Sequence, residues 1–197
     1  MSNMNSILKI GEANKGIITA TEVTNHGIPR RVLTEMVEKN LISKAARGIY
    51  LLPDAWEDEW LLTQYRYSKG IYSHGTALFL HGYTDRTPFS FELTFPQGYH
   101  NANPKDAPII EKFAVKKIYT LGVITLESPA GHPIRAYDLE KSLCDILRGE
   151  KDFDIELVNS AMKKYFADKN RNIFKLKEYA KILKVEKKVN KYMEILL

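Results

Sequence analysis

Glu127, Asp138, Glu140 and Lys141 are the residues whose types could do covalent chemistry. Two carboxylates and a lysine near a strand end can hold a divalent ion and set a cation against a phosphate, as metal-dependent nucleases do. Their spacing here does not reproduce a nuclease strand motif, so hydrolysis is the minor reading. His74 and His81 stand about two helical turns apart, whereas a two-histidine metal site on one helix uses the closer spacing of HExxH. Local hydrogen bonding is the simpler expectation for each, and His132, within an Ala-Gly-His-Pro turn sequence, reads as a loop residue. The single cysteine, Cys144, leaves no internal disulfide and no cysteine cluster. It lies near the apolar side of its helix and reads as a small core residue rather than a nucleophile. With no phosphate loop, GxSxG elbow or zinc motif present, the sequence predicts no enzyme, no cofactor and no metal.

A different chemistry is better supported, the recognition of a polyanion by Arg30, Arg31, Thr34, Lys44 and Arg47. These residues belong to Thr19–Pro53, which reads as a short helix, a glycine turn, a second helix and a hairpin. Thr19 and Glu22 have the spacing of a capping box. Gly27 suits the left-handed residue that ends the first helix, and Pro29 suits the first turn of the next. Ile28, Val32, Leu33, Met36, Val37 and Leu41 fall on one side of that second helix at helical spacing, and Arg30, Arg31 and Thr34 on the other. The following Leu41–Leu52 has hairpin character, with Lys44 and Arg47 flanking an Ala45–Ala46 tip and Gly48 just after. A recognition helix enters the major groove with its first turns nearest the base edges. A basic hairpin beside it neutralises phosphates without reading sequence. The expected DNA contacts are therefore Arg30, Arg31 and Thr34 in the groove, Lys44 and Arg47 on phosphate, and Thr19 and Thr21 at the preceding helix. Glu35 and Glu38, farther along the exposed side, restrict the approach to the first turn or so. The bland alternative is a small helical subdomain with a solvated basic face.

The run GIPRRVLTEMVEKNLISKAARGIYLLP resembles the N-terminal winged-helix module of the AbiE-type abortive-infection antitoxins, down to a Gly-x-Tyr-x-Leu-Pro ending at Gly48, Tyr50, Leu52 and Pro53. SHGTALFLHGYTDRTP and PIRAYDLEKSLCDILRG are similar to segments of that family's C-terminal domain. The resemblance implies an antitoxin of a bacterial phage-defence system that also represses its own operon. The implied partners are operator DNA with inverted repeats and a nucleotidyltransferase-like toxin, antagonised without a stable complex. Two other readings stay open: a winged-helix regulator without antitoxin activity, and a metal-dependent nuclease.

Composition agrees with this division. The chain has 197 residues, 44% hydrophobic and 27% charged, as in a globular protein larger than one winged helix. Its net charge of +5 is unevenly spread: residues 1–53 sum to +3, residues 54–160 to −5 and residues 161–197 to +7. Positive charge at both ends favours a polyanionic partner over a uniformly basic surface. The N-terminus lacks the apolar core of a signal peptide and no stretch is long enough to span a membrane, so a cytoplasmic location and no membrane partner are expected. Nothing resembles a dedicated dimerisation helix, which predicts a monomer in solution and more than one copy on DNA.

The expected fold class is α+β, an N-terminal winged helix-turn-helix followed by a mixed domain closed by C-terminal helices. The expected boundaries are 1–53 for the DNA-binding domain, 54–69 for a connecting helix and 70–197 for the antitoxin domain. Ser6 is the expected cap of a first helix kept short by Gly11 and Gly16. Trp56 and Trp60 are expected to anchor the connecting helix, with Asp54, Glu57, Asp58 and Glu59 in its first turns, where the helix dipole favours negative charge. Beyond it, Ser73 caps a helix ending at Gly82, and Phe89, Phe91, Leu93 and Phe95 alternate as in a half-buried strand. Gln97–Pro108 reads as a loop, Phe113–Tyr119, Val123–Leu126 and Ile134–Tyr137 as strands, and Asp138 as the cap of a helix ending at Gly149. In the lysine-rich tail, Leu157, Met162, Tyr165 and Phe166 mark one helix. Asp168–Asn172 breaks it, and Phe174, Leu176, Tyr179, Leu183, Val189 and Met193 supply further apolar positions. Lys163, Lys164, Lys181, Lys184 and Lys188 form a possible second basic surface, although such lysines commonly serve only as a solvated face.

Overall fold

The computed structural model describes residues 2–100, 108–149 and 153–196. The chain divides into two compact units, Met1–Ser68 with Ser128–His132, and Lys69–Glu127 with Pro133–Leu197. Most of the loop expected at Gln97–Pro108 lies outside the described residues.

The first unit begins with α1 (Asn3–Ala13), capped by Ser2 rather than Ser6. Gly11 does not end this helix. It is buried inside it, and a Cβ there would meet the Ile18 and Leu52 side chains at 3.0 Å, so the glycine permits close approach. The chain turns instead at Gly16, whose φ of +92° needs glycine. Strand β1 (Ile17–Thr19) follows, an element too short for its alternation to be visible in the sequence. Thr19 then caps α2 (Ala20–Asn25), its hydroxyl accepting from the Glu22 N–H at 3.1 Å. Only half of the expected capping box forms, because the Glu22 carboxylate accepts both its side-chain bonds from Asn14. Gly27, at φ +72°, ends the helix as expected, and α3 (Arg31–Glu38) follows.

Strands β2 (Ser43–Ala46) and β3 (Ile49–Leu51) form the hairpin, and β1 completes a three-stranded sheet of order β1-β3-β2. The tip is Arg47–Gly48; Ala45 and Ala46 belong to β2, where a register shift marks a bulge. Ile7, Ile18, Val23, Leu33 and Met36 make the core under α2 and α3. Leu41 stays partly outside it, at 37% exposure, because α3 has already ended at Glu38.

The expected 54–69 helix is shorter, α4 (Glu59–Arg66), because Asp58 is its cap and accepts from the N–H groups of Trp60 and Leu61. Asp54 and Glu57 therefore precede it, and Trp56, 89% exposed, anchors nothing, whereas Trp60 is buried. The buried Asp58 carboxylate also accepts from the Ser128 hydroxyl and pairs with His132 Nδ1 at 2.7 Å. His132 is thus a turn residue, as expected, and a buried one, with its Nδ1 against the Asp58 carboxylate.

The second unit is built on a five-stranded sheet of order β6-β5-β4-β8-β7. Its strands are β4 (Ile71–Tyr72), β5 (Phe91–Pro96), β6 (Ile109–Ala114), β7 (Val123–Glu127) and β8 (Pro133–Tyr137). β5 runs parallel to β6 and antiparallel to β4, which is parallel to β8; β7 and β8 form an antiparallel pair. Strand β5, between β6 and β4, is buried on both faces, Glu92 and Thr94 included, so the half-buried expectation fails, and Phe89 falls outside it, 95% exposed. A strand with neighbours on both edges and covered faces loses the polar alternation of a half-solvated one. The strand expected at Phe113–Tyr119 is instead the end of β6 followed by a helical turn, α6 (Lys116–Tyr119).

Helix α5 (His74–Leu80) lies between Ser73 and Gly82 as expected, but Ser73 makes no side-chain cap bond and its hydroxyl donates to the Glu92 carbonyl instead; α7 (Leu139–Arg148) starts at the Asp138 cap. The tail forms α8 (Ile155–Ala167), α9 (Ile173–Leu183) and α10 (Glu186–Leu196). Asp168–Asn172 is the expected break; a second, at Lys184 with φ 61°, separates α9 from α10. Leu143, Cys144, Ile146 and Leu147 of α7 pack with Val158, Met162, Tyr165, Leu176 and Val189 from these helices. Phe174, expected in that core, is 89% exposed. No helix among the described residues is long and apolar enough to cross a membrane.

Candidate nucleic-acid interface

Arg30, Arg31 and Thr34 are all exposed on the start of α3, opposite the buried Val32, Leu33 and Met36. No side chain caps this helix. The Val32 and Leu33 N–H groups are taken by the carbonyls of Pro29 and Arg30, so the first turn meets solvent as guanidinium groups on the positive end of a helix dipole. Arg30 is not a loose surface chain: its Nε donates to Thr24 Oγ1 at 3.0 Å, and the Thr24 hydroxyl donates to the Ala20 carbonyl at 2.7 Å. The guanidinium is thereby oriented from α2 while its remaining donors stay available to an acceptor. Holding a long side chain before binding reduces the ordering cost of association. Thr24 escaped the sequence reading; its six-residue separation from Arg30 across the glycine turn is the one signal that could have found it.

The hairpin is tied to the same scaffold. The Ala20 N–H donates to the Gly48 carbonyl at 2.8 Å, so the wing tip is joined to the first residue of α2. Lys44 and Arg47 are exposed, Lys44 paired across the ladder with Tyr50 and Arg47 at the tip beside Gly48, whose φ is +79°. Thr21 is exposed, whereas Thr19 is half-buried and uses its hydroxyl as the α2 cap. The same hydroxyl meets Tyr65, whose phenol is pushed up mainly by burial, next by Glu22, with the Thr19 bond opposing. Glu35 and Glu38 are exposed farther along α3. The geometry is that of a cationic first turn and a cationic wing on one small scaffold.

The five lysines of the possible second surface are spread over three helices. Lys163 and Lys164 lie on α8, Lys181 on α9, Lys184 at its end and Lys188 on α10. Lys164 donates to the Gly82 carbonyl and lies over the Tyr83 ring at 5.4 Å; Lys188 donates to the Leu147 carbonyl at 2.6 Å. Two of the five are thus engaged within the fold, and Lys163, Lys181 and Lys184 are exposed.

Of the carboxylates and lysine that could have served hydrolysis, Asp138 and Glu140 share Lys175 as a partner, whereas Lys141 is held by Asp145. Asp138 caps α7, pairs with Lys175 at 2.9 Å and accepts from the Tyr179 hydroxyl, and the phenol of Tyr179 is pushed up to about 12, chiefly by burial. Glu140 accepts from Tyr165 and pairs with Lys175 at 3.4 Å, whereas Lys141 is bound by Asp145. Glu127 is exposed at the end of β7. His74 meets the Ser73 hydroxyl at 2.9 Å, the local bond expected of it, whereas His81 meets the carbonyl of the distant Tyr137 at 2.9 Å rather than a local group. Cys144 is fully buried, and burial pushes its thiol up to about 12.

Residues 6–53 match the family described as "Transcriptional regulator, AbiEi antitoxin". A comparison with curated proteins finds no match. Among solved structures, the RV2827C protein from Mycobacterium tuberculosis is similar, with a TM-score of 0.56 and 13% sequence identity over 89% of this chain and 70% of that one. At that identity the likeness is one of fold. The matched stretch ends at Pro53 and contains α2, α3 and the basic hairpin, so the segment whose geometry suits DNA is also the one that is similar to the AbiEi antitoxin regulators.

Proposed function

We propose that the protein is an antitoxin that represses its own operon, binding operator DNA through the first unit. The observation that carries this reading is the uncapped first turn of α3, with Arg30 braced by Thr24 and Arg31 and Thr34 exposed beside it, within the segment that matches the antitoxin regulators. In this reading Arg30, Arg31 and Thr34 meet the major groove and Lys44 and Arg47 the phosphates, with Thr19 and Thr21 at the edge of the contact. Inverted repeats in the operator place more than one copy on DNA, each a monomer when free. The second unit supplies the antitoxin activity against a nucleotidyltransferase-like toxin, without a stable complex, in cytoplasmic defence against phage. It does so without catalysis.

A regulator without antitoxin activity is the second reading, favoured by one observation: the family match stops at Pro53 and leaves the second unit outside it. Co-expression separates the two. The gene adjoining this one, which the antitoxin reading takes to encode the toxin, is expressed alone, with this protein, and with its Arg30→Ala/Arg31→Ala variant, while a promoter reporter is read in parallel. The antitoxin reading expects rescue by both proteins and repression only by the unsubstituted one. Repression without rescue leaves the plain regulator.

A further inference from the structure

The way the Arg30 guanidinium is held selects the base it can read; this step rests on the DNA-binding reading above. Arg30 and Thr24 are both exposed, so the bond between them lies at the surface and leaves the charged group accessible. The Thr24 hydroxyl gives its one proton to the Ala20 carbonyl at 2.7 Å, and its oxygen accepts from Arg30 Nε at 3.0 Å. The far end of this relay is fixed too, because Ala20 opens α2 and its own N–H donates to the Gly48 carbonyl. Nε is therefore used inside the protein. What the guanidinium offers outward is its pair of terminal nitrogens, a planar fork of donors with no acceptor.

Such a fork pairs with phosphate oxygens or with a base edge. Position favours the base: Arg30 is the residue at which α3 begins, and the first turn of a recognition helix lies nearest the base edges. Phosphate is already served by Lys44 and Arg47 on the hairpin. In the major groove only guanine sets two acceptors side by side, O6 and N7. Adenine places its N6 amino donor beside N7, cytosine presents the N4 donor, and thymine offers O4 next to a methyl group. Against any of these, one arm of a donor-only fork is left unpaired and loses its hydration.

We propose that Arg30 reads a guanine in each operator half-site through its terminal nitrogens, and that Thr24 is the positioning residue that sets the plane of the fork. Arg31, exposed beside it, has no such brace among the described residues, and its loss should lower affinity without changing the base preferred at the Arg30 position.

Methylation interference with the full chain on its promoter fragment tests this, because dimethyl sulfate blocks guanine N7 in the major groove. One guanine per half-site should, when methylated, exclude the unsubstituted protein and Arg31→Ala but not Arg30→Ala. Exchanging that guanine for adenine should weaken the unsubstituted protein by about fivefold or more and leave Arg30→Ala unchanged. Arg30→Lys keeps the charge without the fork and should behave as Arg30→Ala does. Thr24→Val keeps the shape and removes the acceptor; it should narrow the preference for guanine over adenine while binding to a scrambled duplex is unaltered. An interference pattern that is the same with Arg30→Ala, or promoter preference with no guanine sensitive to methylation, overturns the inference and leaves the DNA-binding reading standing. Full guanine preference in Arg30→Lys or in Thr24→Val overturns the fork or its brace. No preference for the promoter over the scrambled duplex removes the DNA-binding reading and this inference with it. A thermal melt of each variant confirms that it is folded.

Discussion

Helices α3 and α7 both carry basic residues near their N-terminal ends, and the two structures use them in opposite ways. In α3 the charge points out: Arg31 and Thr34 are exposed, and Arg30 touches the protein through one bond to Thr24. In α7 the charge points in: Glu140, Lys141 and Asp145 are all buried, each with a partner. An exposed cation is available to a polyanion and contributes little to folding, because surface ion pairs are worth about 0–1 kcal/mol. A buried one is committed to the fold, because its desolvation must be offset at once by a partner. The lesson is that composition alone does not tell a ligand-facing lysine from a structural one. The turn before the helix and the layers packed around it do.

Breaking α7 should cost most. Lys141→Ala leaves the Asp145 carboxylate buried without its partner, a loss of about 3–5 kcal/mol in chemical denaturation. Replacing the pair together, as Lys141→Met with Asp145→Leu, should recover most of it, since apolar groups of similar size can substitute for a buried ion pair. Equal losses in the single and double variants would show that the pair is not what α7 depends on.

In α3 the effect should move from stability to binding. Arg30→Ala or Arg31→Ala should weaken operator binding by about 1–3 kcal/mol if the residue meets a base edge, and the melting temperature should barely change. A drop in stability comparable to that of Lys141→Ala would erase the contrast. Lys44→Ala on the wing should be milder, weakening all duplexes alike and lowering the salt slope by about one. At the bottom of the scale, Trp56→Ala and Phe174→Ala should each shift stability by no more than about 0.5 kcal/mol, because both rings are 89% exposed.

The same contrast explains what could be read from the sequence. The α2–α3 turn was legible because its signals are local: Thr19, Gly27 and Pro29 constrain the backbone within a few residues of themselves. The wing was legible as a hairpin but with its tip misplaced by two residues, since the bulge near Ala45 depends on the pairing with β3. Strand β1 was not legible, being three residues that become a strand only by pairing with β3. Trp56 and Phe174 read as core because hydrophobicity suggests burial and does not locate what would cover it. Nothing local announces that β5 and α7 are enclosed on all sides, so Glu92 and Thr94 read as the polar side of a half-buried strand and Lys141 as a candidate cation beside a phosphate.

The most direct test of the central claim is binding of the purified protein to its own promoter fragment and to a scrambled duplex of equal length, across a salt series. The α3 geometry predicts a preference for the promoter that persists as salt rises, because base contacts do not depend on counterion release. It predicts that Arg30→Ala/Arg31→Ala abolishes the preference while leaving salt-sensitive binding to both duplexes. Equal, steeply salt-dependent binding of the unsubstituted protein to both would contradict the account and reduce the first unit to a basic surface.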